Sequence, residues 1–299
     1  MGSMSAAPVD RKVRGALSPS RAGDFTSCPL LFRYRTIDRL PGTSSPEAVR
    51  GTLVHQVLED IFDRPPAERT PATAHALLGP TWAALQERSQ RTREVAATLD
   101  ESAWLASAHE VLDRWFELED PTRLEPAERE AHVEARLANG LTVRGIIDRL
   151  DRAPDGALRV VDYKTGSSPT EGYELRALLQ LRIYALILWR SRGVVPRMLQ
   201  LVYLGSTSEM VRYAPDEADL LATERKVEAL WAAIEEARRT GTFEPSPGRQ
   251  CDWCSFKEHC PAWGGELLPM PAPPSRWTRL RRAMRRRWRR VRHRSRGLR

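Results

Sequence analysis

The sequence predicts an α/β protein in which helices pack around a group of β-strands. Two apolar, β-branched runs at residues 145–151 and 158–164 are joined by Ala153-Pro-Asp-Gly156. An Asp-Gly pair between two such runs is a strong hairpin signal. Helical periodicity lies on both sides of this hairpin, over residues 70–120 and 173–189. Strands and helices therefore both contribute to the fold.

Composition and charge describe a folded body followed by a basic tail. The 299 residues are 41% hydrophobic and 29% charged, which is typical of a soluble globular protein with a sizeable core. The net charge of +8 comes from residues 276–299, which hold thirteen arginines and no acid. We expect a disordered segment over residues 1–16, one domain over residues 17–265, and a Pro-containing linker with an Arg-rich tail over residues 266–299.

Neither a membrane span nor an export signal is expected. No run of about 18 apolar residues occurs in the chain, and the N-terminal residues lack the apolar core of a signal peptide. We therefore expect a cytoplasmic protein. The chain also lacks a G-x4-G-K-[ST] phosphate loop, so we expect no ATP-driven motor within it.

The helices of the N-terminal half are recognised by their caps and their periodicity. Ser18 and Pro19 are typical of the N-cap and first position of a helix that ends near Cys28. A loop over residues 41–46 precedes an amphipathic helix over residues 51–62. The helical pattern that follows predicts an all-helical insertion at about residues 63–125, with packing roles only.

The second half contains the strands and two long helices. Residues 132–138 alternate like a strand and, with the two runs of the hairpin, predict a three-stranded antiparallel meander. The helix that follows carries Arg176, Gln180 and Tyr184 on one face. The remaining elements are a buried strand, a partner strand and a helix, at residues 198–204, 210–213 and 215–239.

Three charged residues near the hairpin suggest a site. Asp162 and Lys164 are two apart on one strand and so project on the same face, and Asp148 lies between apolar residues on the neighbouring strand. Charged groups in such surroundings are costly unless they are paired or bind a metal. Lys164 is one of only four lysines among 47 basic residues, and a lysine can act on a reacting water more readily than an arginine. A simple strand-end ion pair between Asp162 and Lys164 is the alternative.

The four cysteines are also candidates for a metal centre. Cys251, Cys254 and Cys260 are close in sequence, whereas Cys28 is far from them. Together they supply the tetrad that an iron–sulfur cluster or a structural zinc requires. Disulfides are the poorer explanation in a reducing cytoplasm, and unligated core cysteines are the remaining alternative. Spacing alone does not separate iron from zinc, but either centre would connect the C-terminal segment to the first helix.

The ordered motifs of the body resemble the RecB/AddB-type nuclease domain of the PD-(D/E)xK superfamily, and are similar to stand-alone RecB-like exonucleases and CRISPR-associated adaptation exonucleases. In chain order the motifs are Ser18-Pro-Ser20 with Cys28-Pro29, Gly51-x3-His55, Gly145-x2-Asp148-Arg149, Asp162-Tyr-Lys164-Thr-Gly166, Gln180-x3-Tyr184 and the cysteine triplet. Each motif alone is weak, whereas six in one order are a strong signal. The resemblance implies a restriction-endonuclease-like core, with a mixed central sheet flanked by helices.

The resemblance also implies a role for each matching residue. The ligands of a catalytic Mg²⁺ or Mn²⁺ ion are then His55, Asp148, Asp162 and the backbone carbonyl of Tyr163. Lys164 would position or activate the attacking water, and Gln180 and Tyr184 would border the active site. Glu134 matches an acid of several relatives, and Glu59 would orient His55. The four cysteines, Cys28, Cys251, Cys254 and Cys260, would hold a structural [4Fe–4S] cluster.

DNA contacts are expected in two places. One is the helix face of Arg176, Gln180 and Tyr184, and the other is the tail, with Arg281, Arg285 and Arg289. Apolar residues recur between the tail arginines at three- to four-residue spacing, which predicts a basic amphipathic helix. Arginine density favours nucleic-acid phosphate through counterion release. A solvated tail and a helix that meets an anionic membrane or a protein are the alternatives.

We therefore predict a metal-dependent DNA exonuclease that hydrolyses phosphodiester bonds at single-stranded ends, in DNA repair or recombination. It would act alone or on ends opened by a separate helicase. One alternative function is a non-catalytic DNA-binding or adaptor protein with a nuclease-like fold. The other is a zinc-containing structural protein that meets DNA through its tail.

Overall fold

A six-stranded mixed sheet forms the centre of the protein and helices cover both of its faces. The computed structural model describes residues 15–166, 171–206 and 208–271. This arrangement confirms the predicted fold class, a mixed central sheet flanked by helices. Within these described ranges, no helix combines the length and the apolar character needed to cross a membrane.

The sheet is organised around its third strand. The strands are β1 (Ala16–Leu17), β2 (Pro126–Arg136), β3 (Thr142–Arg152), β4 (Leu158–Lys164), β5 (Met198–Tyr203) and β6 (Glu209–Tyr213). One edge of β3 pairs antiparallel with β2, while the other edge pairs with β1 at its start and with β4 at its end. β5 runs parallel to β4, and β6 runs antiparallel to β5. The predicted meander of β2, β3 and β4 is therefore confirmed.

Eight α-helices are found in the described residues. They are α1 (Pro19–Ser27), α2 (Pro29–Phe32), α3 (Pro46–Asp60), α4 (Pro71–Arg88), α5 (Gln90–Ala96), α6 (Glu101–Leu118), α7 (Glu171–Arg192) and α8 (Glu217–Thr240). The predicted cap of α1 is confirmed, because the Ser18 hydroxyl accepts the backbone N–H of Arg21. The predicted start of α3 at residue 51 is too late. Ser45 caps this helix by accepting the N–H of Ala48, so the helix begins within the expected loop.

Strand alternation divides the core into two apolar clusters, one on each face of the sheet. Val160 packs with α1, α7 and α8, whereas the next residue, Val161, packs with α3, α4 and α6. Successive strand residues point to opposite faces, so each strand contributes to both clusters. The helical insertion therefore covers one face, and α7 covers the other.

A buried polar network connects the insertion to the sheet. Arg149 on β3 is 1% exposed, and its guanidinium donates to both oxygens of Glu119, just after α6, at 2.7 and 2.8 Å. The same side chain donates to Asp151 at 3.0 Å and to the Tyr163 hydroxyl. A buried charge is tolerated when it is paired and fully hydrogen-bonded. This network therefore fixes the end of the insertion against β3 and β4.

Glu119→Ala is expected to lower the free energy of unfolding by about 3 kcal/mol, because it leaves the buried Arg149 guanidinium short of two hydrogen bonds. Urea denaturation followed by circular dichroism measures this loss. Glu125→Ala is the matched control, since Glu125 pairs with Arg69 but is 77% exposed; a loss below about 1 kcal/mol is expected there. Equal losses in the two variants would contradict the role assigned to burial.

Candidate active site

The predicted acids lie where β3 and β4 separate. The antiparallel ladder between these strands ends at Arg149 opposite Val161. One step further, Asp148 and Asp162 stand opposite each other in the same register. Like charges directly opposite destabilise strand pairing. The acidic pair therefore favours an opening in the sheet at this position.

Asp148 is held at this opening by its neighbours. Its Oδ2 accepts the backbone N–H of Tyr163 at 2.8 Å, which replaces the missing ladder hydrogen bond. The Nδ1 atom of His55, on α3, lies 3.5 Å from the same oxygen. The His55 imidazole also hydrogen-bonds the backbone of Tyr163. Three of the predicted site residues, His55, Asp148 and Tyr163, are thus in mutual contact.

The other predicted residues form a closed hydrogen-bonded group around Lys164. Its Nζ lies 2.6 Å from Asp162 Oδ2 and donates to Gln180 Oε1 at 3.0 Å. The Gln180 amide donates to Asp162 Oδ1 at 2.8 Å and to the Tyr184 hydroxyl at 3.1 Å. Asp162 is 2% exposed, while Lys164 is 30% exposed. The ion pair between Asp162 and Lys164 therefore exists, but as part of a larger network that α7 completes.

The electrostatics of the site follow from burial beside like charges. Burial and the Asp162 carboxylate raise the pKa of Asp148 to about 7, against the opposing Tyr163 N–H and Lys164. Burial lowers the pKa of His55, although nearby carboxylates oppose the shift. His55 is therefore neutral near pH 7 and its imidazole is available as a metal ligand.

Glu130 is a site residue that the sequence analysis missed. One ligand atom each from His55, Glu130 and Asp148 lie within 4.8 Å of one another. The strand that carries Glu130 was predicted to begin at His132, whereas β2 begins at Pro126. Extending the predicted strand toward Pro126 would have placed Glu130 on the meander, but its position opposite Asp148 follows from the register of β2 against β3.

Of the two further acids named by the resemblance, Glu59 lines a small cavity with His55 and Asp148, whereas Glu134 lies further away. Glu134 is exposed and lines a groove together with Gln180 and Tyr184. Glu59 accepts a hydrogen bond from Gln56 at 3.0 Å. In the described part of the chain, no hydrogen bond or ion pair joins Glu59 to His55. The orienting role of Glu59 therefore remains a prediction that no direct contact supports.

The predicted DNA-binding arginines remain predictions. Arg176 lies in α7, but its side chain is outside the described part of the structure. The tail residues Arg281, Arg285 and Arg289 lie outside the described residues altogether.

The four cysteines face one cavity. Cys28, at the end of α1, lines a cavity of about 210 Å³ together with Cys251, Cys254 and Cys260. All four are free thiols. Burial, and then the proximity of the other three cysteines, raise the pKa of Cys260. The chain thus brings cysteines from its two ends to a common space.

Known proteins match both the sequence and the fold. The family model described as the PD-(D/E)XK nuclease superfamily matches residues 16–261. The Gene 69 protein of Mycobacterium phage D29 is 29% identical over 136 residues, which cover 45% of this chain and 48% of that protein. The Gene 69 protein of Mycobacterium phage L5 is 28% identical over 127 residues, which cover 42% and 41%. The chain therefore spans less than half the length of either curated relative.

A solved structure shares the fold. A candidate exonuclease from Eubacterium rectale superposes with a TM-score of 0.53 at 14% sequence identity, over 87% of this chain and 91% of that chain. At this level of identity the match establishes a common fold.

The metal-free protein is expected to lose about 3 kcal/mol of stability between pH 5 and pH 8 through Asp148 alone. Its pKa of about 7 in the folded protein exceeds the ordinary value of about 3.9. Between these values the folded state holds a proton that the unfolded state has released, so stability falls as the pH rises. Urea unfolding at both pH values measures the loss. Asp148→Asn should remove this part of the dependence, and an unchanged dependence would contradict the raised pKa.

Proposed function

Because the chain belongs to the PD-(D/E)XK nuclease superfamily, we propose that it is a metal-dependent DNA exonuclease of the RecB type. The observation that carries this proposal is the group of Asp162, Lys164 and Gln180 beside Asp148 at the opening of the sheet. The group joins two carboxylates, a lysine and an amide in one partly exposed place. Hydrolysis of a phosphodiester needs charge neutralised on a phosphoryl oxygen and an activated water, and carboxylates that bind a metal beside a lysine can supply both.

The donor set fits a divalent metal ion. Asp148, Asp162 and the carbonyl of Tyr163 offer hard oxygens, which suit Mg²⁺, and neutral His55 adds a nitrogen that suits Mn²⁺. A bound divalent ion would neutralise charge on a phosphoryl oxygen and make water nucleophilic near neutral pH.

Lys164 and Gln180 have different roles, one in contact with the substrate and the other in orienting the site. Lys164 is a compact cation near the opening, where it would hold the attacking water or a phosphate oxygen. Gln180 accepts from Lys164 and donates to Asp162, so it fixes the direction of both side chains. Tyr184 accepts the second amide hydrogen of Gln180. In this proposal Lys164 acts on the substrate, and Gln180 and Tyr184 orient the group.

A groove beside the site supports single-stranded DNA as the substrate. It has a volume of about 590 Å³, and Gln180 and Tyr184 line it together with Ser18, Ser20 and Arg144. Hydroxyl and guanidinium groups are the usual partners of phosphate oxygens. A groove of this size suits one strand that enters from a free end. We include in the proposal a helicase that opens such ends, and the arginine tail as a source of sequence-independent affinity.

Because Gly145 has no side chain, the ring of Tyr184 can pack closely against this position of β3 at the groove. A Cβ atom at residue 145 would lie 2.5 Å from the Tyr184 ring. A side chain there would therefore displace Tyr184 from its bond with Gln180.

We also propose that the four cysteines hold a [4Fe–4S] cluster with a structural role. The support for this proposal is that Cys28 and the cysteine triplet, from distant parts of the chain, line one cavity of about 210 Å³, as the four ligands of a single centre must. Four thiolates also suit a structural zinc, and the iron measurement below distinguishes the two metals.

Lys164→Ala is expected to reduce the rate of single-stranded DNA degradation in Mn²⁺ by at least about 100-fold, since it removes the cation beside the reacting water. End-labelled DNA and gel analysis give the rate. Lys226→Ala is the matched control, because Lys226 is exposed on α8 and should leave the rate unchanged. Absence of degradation by the wild type, or full activity in Lys164→Ala, would refute the proposed function.

Cys254→Ser is expected to abolish bound iron and visible absorption in anaerobically purified protein, because a cluster needs all four thiolates. Elemental analysis and absorption spectra measure both. Asp252→Asn, between two of the cysteines, is the control and should retain full iron content. Stoichiometric zinc without iron in the wild type would exclude the cluster and leave the nuclease proposal standing.

A further inference from the structure

We propose that a pocket at the hairpin end of β3 and β4 is a binding site for a phosphate group. This hairpin pocket has a volume of about 280 Å³ and lies around the turn that joins the two strands. Asp148, Asp162 and Lys164 are not among its lining residues, so it is separate from the candidate active site. Its basic lining residues are Arg123, Arg152, Arg159 and Arg197.

Four separate segments of the chain bring these arginines together. Arg123 ends a short turn that follows α6. Arg152 is the last residue of β3, Arg159 is the second residue of β4, and Arg197 directly precedes β5. Like charges that folding brings together repel one another and destabilise the compact state. An anion in the space between the four guanidinium groups would remove this cost.

The acids that line the hairpin pocket already have other partners. Asp151 accepts hydrogen bonds from the buried Arg149 at 3.0 Å and from Arg159 at 2.9 Å. Glu125 pairs with Arg69 at 3.1 Å. Neither carboxylate is therefore reserved for the remaining arginines of the pocket.

Two of the arginines have no partner of their own. In the part of the chain that the structure describes, the guanidinium groups of Arg123 and Arg152 take part in no hydrogen bond and no ion pair. Glu128 lies near Arg152, but both of its carboxylate oxygens accept hydrogen bonds from Arg192. The positive charge of these two arginines is therefore left for a ligand.

The chemistry of the hairpin pocket suits phosphate. A guanidinium group presents a planar fork of N–H donors that can bond two phosphate oxygens at once. Arg123 and Arg152 have these donors free. Arg197 pairs with Asp155 at 2.8 Å, but the two side chains are 67% and 53% exposed, and exchange of such a partner costs little. Three forks around one space match the charge and the several oxygens of a phosphate group.

The position of the hairpin pocket favours a nucleic acid as the source of the phosphate. Arg152 is four residues from Asp148 along β3, a distance of about 13 Å. Successive phosphates of a DNA strand rise by about 3.4 Å along a duplex, so a strand bound at the acids reaches this far within a few nucleotides. This choice of source rests on the proposed function, whereas phosphate binding itself does not.

DNA binding without turnover is the first test. Fluorescence anisotropy of labelled single-stranded DNA with the full-length protein, in a chelator of divalent ions, gives the Kd. The double variant Arg123→Gln/Arg152→Gln should raise the Kd about tenfold at low salt and lower the slope of log affinity against log salt by about 1.4, since each lost phosphate contact removes about 0.7. Arg225→Gln/Lys226→Gln is the matched control, because both residues are exposed on α8. It should retain the wild-type Kd.

Inorganic phosphate distinguishes the two sources of the ligand. At equal ionic strength, phosphate should raise the melting temperature of the wild type more than chloride does, because a bound anion stabilises the folded state. This difference should disappear in the Arg123→Gln/Arg152→Gln variant and persist in the control. Loss of the phosphate response together with DNA affinity assigns the hairpin pocket to nucleic acid. Loss of the phosphate response alone assigns it to free phosphate.

A double variant with the Kd, the salt slope and the phosphate response of the wild type would overturn the site. Circular dichroism establishes that the variant is folded. Nuclease assays separate this result from the proposed function. An inactive wild type whose DNA affinity still falls in the double variant would refute the nuclease and support the hairpin pocket. An active nuclease with unchanged binding in the double variant would do the reverse.

Discussion

The separation of β3 and β4 at Asp148 and Asp162 is the constraint on which the site depends. Two opposed carboxylates disfavour continued pairing, and Asp148 accepts the backbone N–H of Tyr163 instead. The backbone donor therefore stays satisfied although the ladder has ended. The resulting opening is reached by α3 from one face and by α7 from the other, through His55 and Gln180. The sheet supplies the acids, and the two helices supply the groups that orient them.

The opening is stable because its strands are anchored from the opposite face. Asp148 is followed by Arg149, and Asp162 is followed by Tyr163, so each acid has a neighbour that points the other way. Arg149 binds both Tyr163 and Glu119 in a buried network. Along β3 and β4, the acids of the site therefore alternate with residues of a second, paired polar network. Two adjacent residues of β3 therefore have different roles: Asp148 belongs to the site, and Arg149 belongs to the structural network.

Local patterns predicted the elements that depend on neighbouring residues. The Asp-Gly turn and strand alternation predicted the hairpin of β3 and β4, and four-residue spacing predicted that Gln180 and Tyr184 share a helix face. The hydroxyl of Ser18 predicted the start of α1. These signals act between residues that are only a few positions apart, so the sequence alone predicts them.

Features that depend on distant pairing were not predicted. β1 contains two residues, too few for any periodicity, and it is recognised as a strand only by its pairing with β3. Glu130 became visible only when the register of β2 against β3 was known. Glu119 and Arg149 are far apart in sequence, and no local pattern connects them. Register and long-range ion pairing are set by the packed sheet and not by the segments themselves.

The cysteine cavity and the acid site are connected through α1. This helix begins at the groove, with Ser18 at its cap, and ends at Cys28 in the cavity. A centre bound by the four cysteines would therefore set the position of α1 and, with it, one wall of the groove. The acids lie on β3 and β4, where Arg149 and Tyr163 hold the strands independently of α1. Under the proposed function, ligation by the four cysteines would therefore affect the groove more directly than it affects the arrangement of the acids.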